Sequence, residues 1–116
     1  MASRSPRIWL IDIRAEIRDI RAAITGMDLK DFSTSWVTKR AVEHALLIIA
    51  EAAKHLLGAM KDEHPEIPWQ KIHGLGNMLR HEYRRIDAEI LWSVVTEHLD
   101  RLDNAALTLL EGLDEL

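Results

Sequence analysis

The chain contains no cysteine, which removes disulfides, thiolate metal sites and cysteine nucleophiles from consideration and is compatible with a reducing compartment. Chain breakers are scarce, with three prolines and five glycines among 116 residues, a composition that favours helices. Long apolar runs are missing too: the longest, Ala45–Ala50, falls far short of the roughly 20 residues that a membrane helix needs. No membrane-spanning segment is expected. Nor is there a surplus of positive charge. The formal net charge is −4, which argues against non-specific coating of nucleic acid, because such binding sums phosphate neutralisation over many cations. A local basic site remains open. The segment Met1–Arg7 is basic but runs into Asp12 and Glu16 instead of a long apolar core, so it does not read as a secretory signal. The mature chain is expected to start near Met1 and to be cytoplasmic.

What is present reads as one domain over residues 1–116, with 47% hydrophobic and 29% charged residues and enough length for a single modest core. Leu10, Ile13, Ile17, Ile20 and Ile24 recur at steps of three and four, which predicts a helix from about Pro6 to Thr25, ended by Gly26. The charges between them, Asp12, Glu16 and Asp19 against Arg14, Arg18 and Arg21, read as a solvated face. Asp31, Ser33, Thr34 and Ser35 form a capping cluster before a second helix, roughly residues 35 to 62, on which Val42, Ala45, Ile49, Ala52, Leu56 and Ala59 share a face. Its middle, Leu46 to Ile49, is apolar nearly all round, so a partner subunit is expected there.

Pro68 suits the first turn of a third helix running to about His81, with Trp69, Ile72, Leu75 and Leu79 inward. Gly74 and Gly76 weaken that helix by about 1 kcal/mol each relative to alanine, and two glycines there need a reason. Asp87 offers an N-cap for a fourth, long helix carrying Leu91, Val95, Leu102, Ala106, Leu109 and Leu113. No strand pattern or repeat is found. The fold class expected is all-α, a four-helix up-and-down bundle.

Six histidines supply most of the chemistry available near neutral pH. His44, His55, His64 and His98 stand singly, and solvated or packing roles come first for each. His73, Asn77 and His81 are spaced by fours, which places them along one face of the third helix. A metal does not fit that spacing: residues eight apart lie roughly 12 Å apart along a helix axis, whereas zinc-ligating nitrogens each sit about 2 Å from the ion. Neither a metal nor another cofactor is expected. From Trp69 to Arg85, Lys71, Arg80, Arg84 and Arg85 face Glu82 alone, a local charge of +3 in an acidic chain. Tyr83 stands beside them and could stack a base. Composition alone supports equally an anion-binding patch and a helix end whose cations complement the dipole.

The string Ile67-Pro68-Trp69-Gln70-Lys71-Ile72-His73-Gly74-Leu75-Gly76-Asn77-Met78-Leu79-Arg80-His81-Glu82-Tyr83 resembles the segment of HepT-type proteins in which a proline-tryptophan helix start leads into Arg-Asn-x3-His-x-Tyr. Asp87-Ala88-Glu89-Ile90-Leu91-Trp92 resembles the family's helix-four opening, and Ile48-Ile49-Ala50-Glu51-Ala52-Ala53-Lys54 its helix-two signature. Three strings in the right order, from Val42 to beyond Trp92, resemble the minimal HEPN superfamily. The resemblance implies a homodimer in which two copies of helix three line a cleft. It implies a metal-independent endoribonuclease toxin that cleaves RNA, paired with an MNT-type nucleotidyltransferase antitoxin. His81 would then be the acid–base residue and Asn77 would set its environment, with Arg80, Tyr83, His73, Lys71 and Arg84 contacting RNA. Tyr83 would also be the position the antitoxin modifies with AMP.

The chain departs from the pattern at Gly76, where the motif arginine should stand. Loss of one such charge-stabilising group typically costs about 10² to 10³ in rate, so a weakened or inactive nuclease is expected. Gly76→Arg is expected to raise activity and, by helix propensity, stability. The alternative is a non-catalytic module that docks a nucleotidyltransferase or a nucleotide. A plain helical oligomer would explain the apolar stripes but not the charge between Trp69 and Tyr83.

Overall fold

The computed structural model describes residues 5–114, and Tyr83 by its backbone alone. Helix α1 (Pro6–Ile24) opens where the Ser5 hydroxyl accepts the Arg7 N–H at 3.2 Å, with Pro6 in the first turn, a position where the missing N–H of proline costs nothing. It stops before Gly26, whose φ of 78° is a left-handed turn conformation that favours glycine. A short helix, α2 (Leu29–Thr34), follows. Asp28 and Asp31 cap it reciprocally at 2.8 and 3.2 Å, and Phe32 is fully buried. Sequence reading passed over α2 because a single turn with one inward residue shows no periodicity.

Helix α3 (Trp36–Lys54) is capped by the Ser35 hydroxyl, which accepts the Thr38 N–H at 3.2 Å. The helix expected over residues 35 to 62 is broken at residues 55 to 57 and resumes as the single turn α4 (Gly58–Asp62). Leu56 still buries its side chain, so the apolar spacing survives a bend that the backbone does not. Helix α5 (Trp69–His81) begins where the Trp69 indole N–H donates to the carbonyls of Lys61 and His64, both at 3.1 Å. That bond ties α4 and the proline loop to the start of α5. A 3₁₀ turn (Tyr83–Arg85) leads to α6 (Ala88–Glu97) and α7 (Leu99–Asp114). The expected single fourth helix is therefore two, interrupted at His98. Asp87 occupies the N-cap position of α6 but makes no side-chain capping bond.

Among the described residues the architecture is all-helical, with no strand. Contacts fix the directions. Trp9 of α1 stacks on His55 beyond the end of α3, with ring centroids 4.3 Å apart, so α1 and α3 run antiparallel. Gly76 of α5 meets Ala50, while Leu79 shares a depression with Arg40 and Leu47, so α3 and α5 are antiparallel as well. On the other side Arg7 pairs with Asp114 and Arg21 with Asp100, setting α7 antiparallel to α1. The result is the expected up-and-down bundle, with α6 and α7 sharing the fourth position. Its core joins Leu10, Ile13 and Ile17 of α1 to Val42 and Ile49 of α3, Leu91 of α6 and Leu102 of α7.

Two expectations change. The apolar middle of helix two was assigned to a partner, but Leu46 and Ile49 are 3% and 2% exposed inside the chain's own core, and Leu47 and Ile48 are half-buried. Helix α3 is central, with α1 on one side and α5 on the other, and this placement covers Leu46 and Ile49 within the chain and leaves Leu47 and Ile48 part of their surface. The second correction concerns Gly76. A Cβ built there would lie 2.7 Å from the Cβ of Ala50, too close for carbon atoms rigidly attached to two helices. A side chain at this position therefore strains the α3–α5 contact, and the expected gain in stability from Gly76→Arg does not hold. Gly74 has open space around it, and the structure offers no packing reason for it.

Candidate active site

Helix α5 turns Ile72, Leu75, Gly76 and Leu79 inward and leaves Lys71, His73, Asn77, Arg80 and His81 exposed. This split is the ordinary consequence of 3.6 residues per turn, with inward positions at steps of three and four. The face predicted from the spacing of His73, Asn77 and His81 exists and is open to solvent. Glycine at 76 lets the two backbones approach at this crossing.

That approach organises the polar groups. The Arg80 side chain leans back along its helix, as helical side chains do. One Nη donates to the Asn77 side-chain Oδ1 at 3.1 Å and the other to the Glu51 carboxylate on α3. Asn77 and Arg80 are thus brought together, and Glu51 joins them from the neighbouring helix. Sequence reasoning did not single out Glu51, although it is the one acid in the apolar stretch Ala45–Ala53 and stands beside Ala50, the residue against Gly76. His81 lies at the last position of α5, one residue beyond Arg80.

The remaining site residues separate along the helix. Lys71 and His73 line a broad groove with Lys54, Lys61, Asp62 and Trp69, at the opposite end of α5 from His81. Eight residues of helix put His73 and His81 roughly 12 Å apart along the axis. Arg84 and Arg85 sit in the 3₁₀ turn just past His81, and Arg85 pairs with Glu82 at 3.4 Å. The Tyr83 side chain lies outside the described residues, and with it the expected modification site. Near Leu79 a depression on α3 is lined by Arg40, Glu43, His44 and Leu47. His44 therefore faces the α5 side, which its solitary place in the sequence did not signal. Of the other histidines, His55 packs on Trp9 and His64 contacts Glu66 at 3.1 Å.

Chemically, the end of α5 presents an imidazole, a guanidinium and a carboxamide on one solvent-facing surface. An imidazole moves protons near neutral pH, and a guanidinium holds phosphate in its planar fork. Among the described residues no group of histidines and carboxylates is arranged to hold a metal. None of the described helices is long and apolar enough to cross a membrane.

Comparison with known proteins identifies the family. Residues 13–109 match the family described as ribonuclease HepT-like. A Methanocaldococcus jannaschii protein named as a candidate RNase is 30% identical over 102 residues, covering 88% of this chain and 94% of its own. A Thermococcus cleftensis protein designated a candidate ribonuclease HepT is 35% identical over 99 residues, or 85% of this chain and 90% of its own. A candidate RNase of Caldanaerobacter subterraneus is 29% identical over 108 residues, 93% of this chain and 96% of its own. No solved structure gives a significant match.

Proposed function

This chain belongs to the HepT-like ribonuclease family, and we propose that it is a metal-independent endoribonuclease whose reacting groups stand on the C-terminal half of α5. The observation that carries this reading is the exposed face on which Asn77, Arg80 and His81 fall within one turn and a half of helix. His81 is the proton carrier. It takes the proton of a ribose 2′-OH, or gives one to the departing 5′-oxygen, as the bond from phosphorus to O2′ forms and the bond to O5′ breaks. Such proton transfer contributes roughly 10²- to 10⁴-fold. In a homodimer with two α5 helices lining one cleft, the two copies of His81 divide the roles of base and acid. Lys71, His73 and Arg84 extend the contact with the RNA backbone, and the groove that adds Lys54 and Lys61 to Lys71 continues it.

We place the chain in a toxin–antitoxin pair with an MNT-type nucleotidyltransferase that transfers AMP to Tyr83. An adenylyl group two residues from His81 would add bulk and negative charge where RNA must approach. A second reading, a module that docks the nucleotidyltransferase without cleaving RNA, draws on Gly76 standing where the family motif has arginine. One experiment separates them. Purified protein is incubated with single-stranded RNA in excess EDTA, beside His81→Ala. Cleavage that survives the chelator and falls at least about 10²-fold in the variant supports the nuclease. Cleavage equal in both proteins removes His81 from the mechanism, and none in either favours the docking module.

A further inference from the structure

Gly76 leaves the nuclease reading without its usual cation, and the structure offers another one turn along the same helix. We propose that Arg80 is the cation that holds the RNA phosphate in this chain and that Glu51, reaching over from α3, is its positioning residue; the inference rests on the RNA-binding part of the reading above.

Three observations carry it. The guanidinium is anchored at two points, by Asn77 at 3.1 Å from within α5 and by Glu51 from α3. Those bonds use two of its five N–H donors, and Arg80 makes no other hydrogen bond among the described residues, so donors remain for a ligand. Its side chain is 34% exposed and that of Glu51 40%, so the pair is screened by water and a phosphate can share the guanidinium. The close Gly76–Ala50 crossing, where a Cβ would come within 2.7 Å, brings α3 near enough for Glu51 to reach. Glycine at the position of the family's arginine thus accompanies the close crossing from which Glu51 reaches Arg80. Arginine suits the task because its rigid planar fork matches phosphate and keeps its orientation when two donors are held.

The test uses a short mixed-sequence 2′-O-methyl oligoribonucleotide, which binds as RNA but has no free 2′-OH to react, together with the unmodified strand for cleavage. Arg80→Gln should weaken binding and lower the slope of log affinity against log salt by about 0.7, the value of one phosphate contact on a single strand. Glu51→Ala should weaken binding in the same direction and slow cleavage by up to about 10²-fold, as a misplaced contact does. Glu51→Gln keeps an acceptor oxygen for the guanidinium and should recover most of both. In an Arg80→Gln background Glu51→Ala should have no further effect, a dependence that a merely structural acid would not show. Tighter binding on Glu51→Ala would make the carboxylate a competitor of phosphate and overturn the positioning role. An unchanged salt slope in Arg80→Gln, or no binding by the wild type, would overturn the proposal as a whole. Because the probe cannot be cleaved, Arg80-dependent binding without cleavage of the unmodified strand sinks the nuclease reading alone, and cleavage indifferent to Arg80 sinks this inference alone.

Discussion

Two seams between antiparallel helices divide this bundle, and both are crossed by arginines. On the α1–α7 seam, Arg7, Arg14 and Arg21 stand seven residues apart, and each is answered by an acid of α7: Asp114, Asp103 and Asp100. On the α3–α5 seam Arg80 pairs with Glu51 across the helices, beside a glycine contact too tight for any side chain. Each arginine named on the first seam is paired with a carboxylate, as Arg80 is, so pairing alone does not tell the seams apart. The second leaves Asn77 and His81 uncovered on the same surface as its pair. The seams differ in what stands next to the paired arginine, and that difference is what the proposed function draws on.

The largest expected effect comes from filling the tight seam. Gly76→Arg must push α3 and α5 apart or force the arginine stem off its preferred rotamers, and overpacking of this kind costs about 1 to 3 kcal/mol. Helix propensity returns somewhat under 1 kcal/mol, so the variant should unfold several degrees below the wild type in a thermal melt. Gly76→Ala should lose a smaller amount by the same route. Gly74→Ala is the control: its propensity gain is identical and its surroundings are open, so it should stabilise by roughly 0.5 to 1 kcal/mol. In the Gly76→Ala background, Ala50→Gly should cost less than it does alone, because it removes the opposing Cβ. Equal stabilisation by alanine at 74 and at 76 would show that the crossing is looser than described. If Arg80 holds the phosphate as proposed, Gly76→Arg should raise cleavage far less than the orders of magnitude expected from restoring the motif arginine.

A middle-sized effect tests the other seam. Arg14 contacts Asp103 at 2.9 Å, and the Asp103 side chain is only 16% exposed. Arg14→Ala should cost about 1 kcal/mol, at the upper end for a partly exposed pair and with some loss of stem packing. Arg21, at 3.4 Å from the same carboxylate, limits the damage. RNA binding should be unchanged in Arg14→Ala, whereas Arg80→Gln should alter RNA binding with little change in the melting temperature. If Arg14→Ala weakens RNA binding as much as Arg80→Gln does, the contrast between the seams fails.

The core of α1, the bounds of α5 and the exposed row His73, Asn77 and His81 were legible in the sequence because each obeys the helical period over several turns. Breaks at residues 55 to 57 and at His98 were not, since Leu56 and Leu99 keep their apolar phase through the bend and remain buried. The meaning of Gly76 was hidden for a different reason. Propensity scores a glycine by its own backbone, whereas the cost of replacing it here is set by Ala50, 26 positions earlier in the sequence. Glu51 was overlooked on the same grounds, as its partner Arg80 is 29 residues away.

The smallest expected effect lies between α1 and α3, where Glu16 meets the charge of His44, and depends on pH. Glu16 of α1 has its pKa raised above the ordinary carboxylate value, first by partial burial and then by the neighbouring charges of Asp19 and Asp12, against which His44 works in the opposite direction. A raised folded pKa means that the native state holds the proton more tightly than the unfolded chain, so ionising Glu16 works against folding. That penalty is absent below the unfolded value, builds as pH rises through the interval up to the folded pKa, and is fully present at neutral pH. Glu16→Gln removes the ionisation and should stabilise the protein at pH 7 by no more than about 0.5 kcal/mol, the usual range for a surface substitution. The gain should shrink as the pH falls toward 4 and vanish once the wild-type carboxyl is protonated in both states. Because His44 works against the rise in the Glu16 pKa, His44→Ala should enlarge the benefit of Glu16→Gln at neutral pH. Thermal melts of the four proteins at pH 4, 6 and 8 measure all of this. A Glu16→Gln gain that grows on acidification would mean that the carboxylate is stabilised in the fold rather than strained.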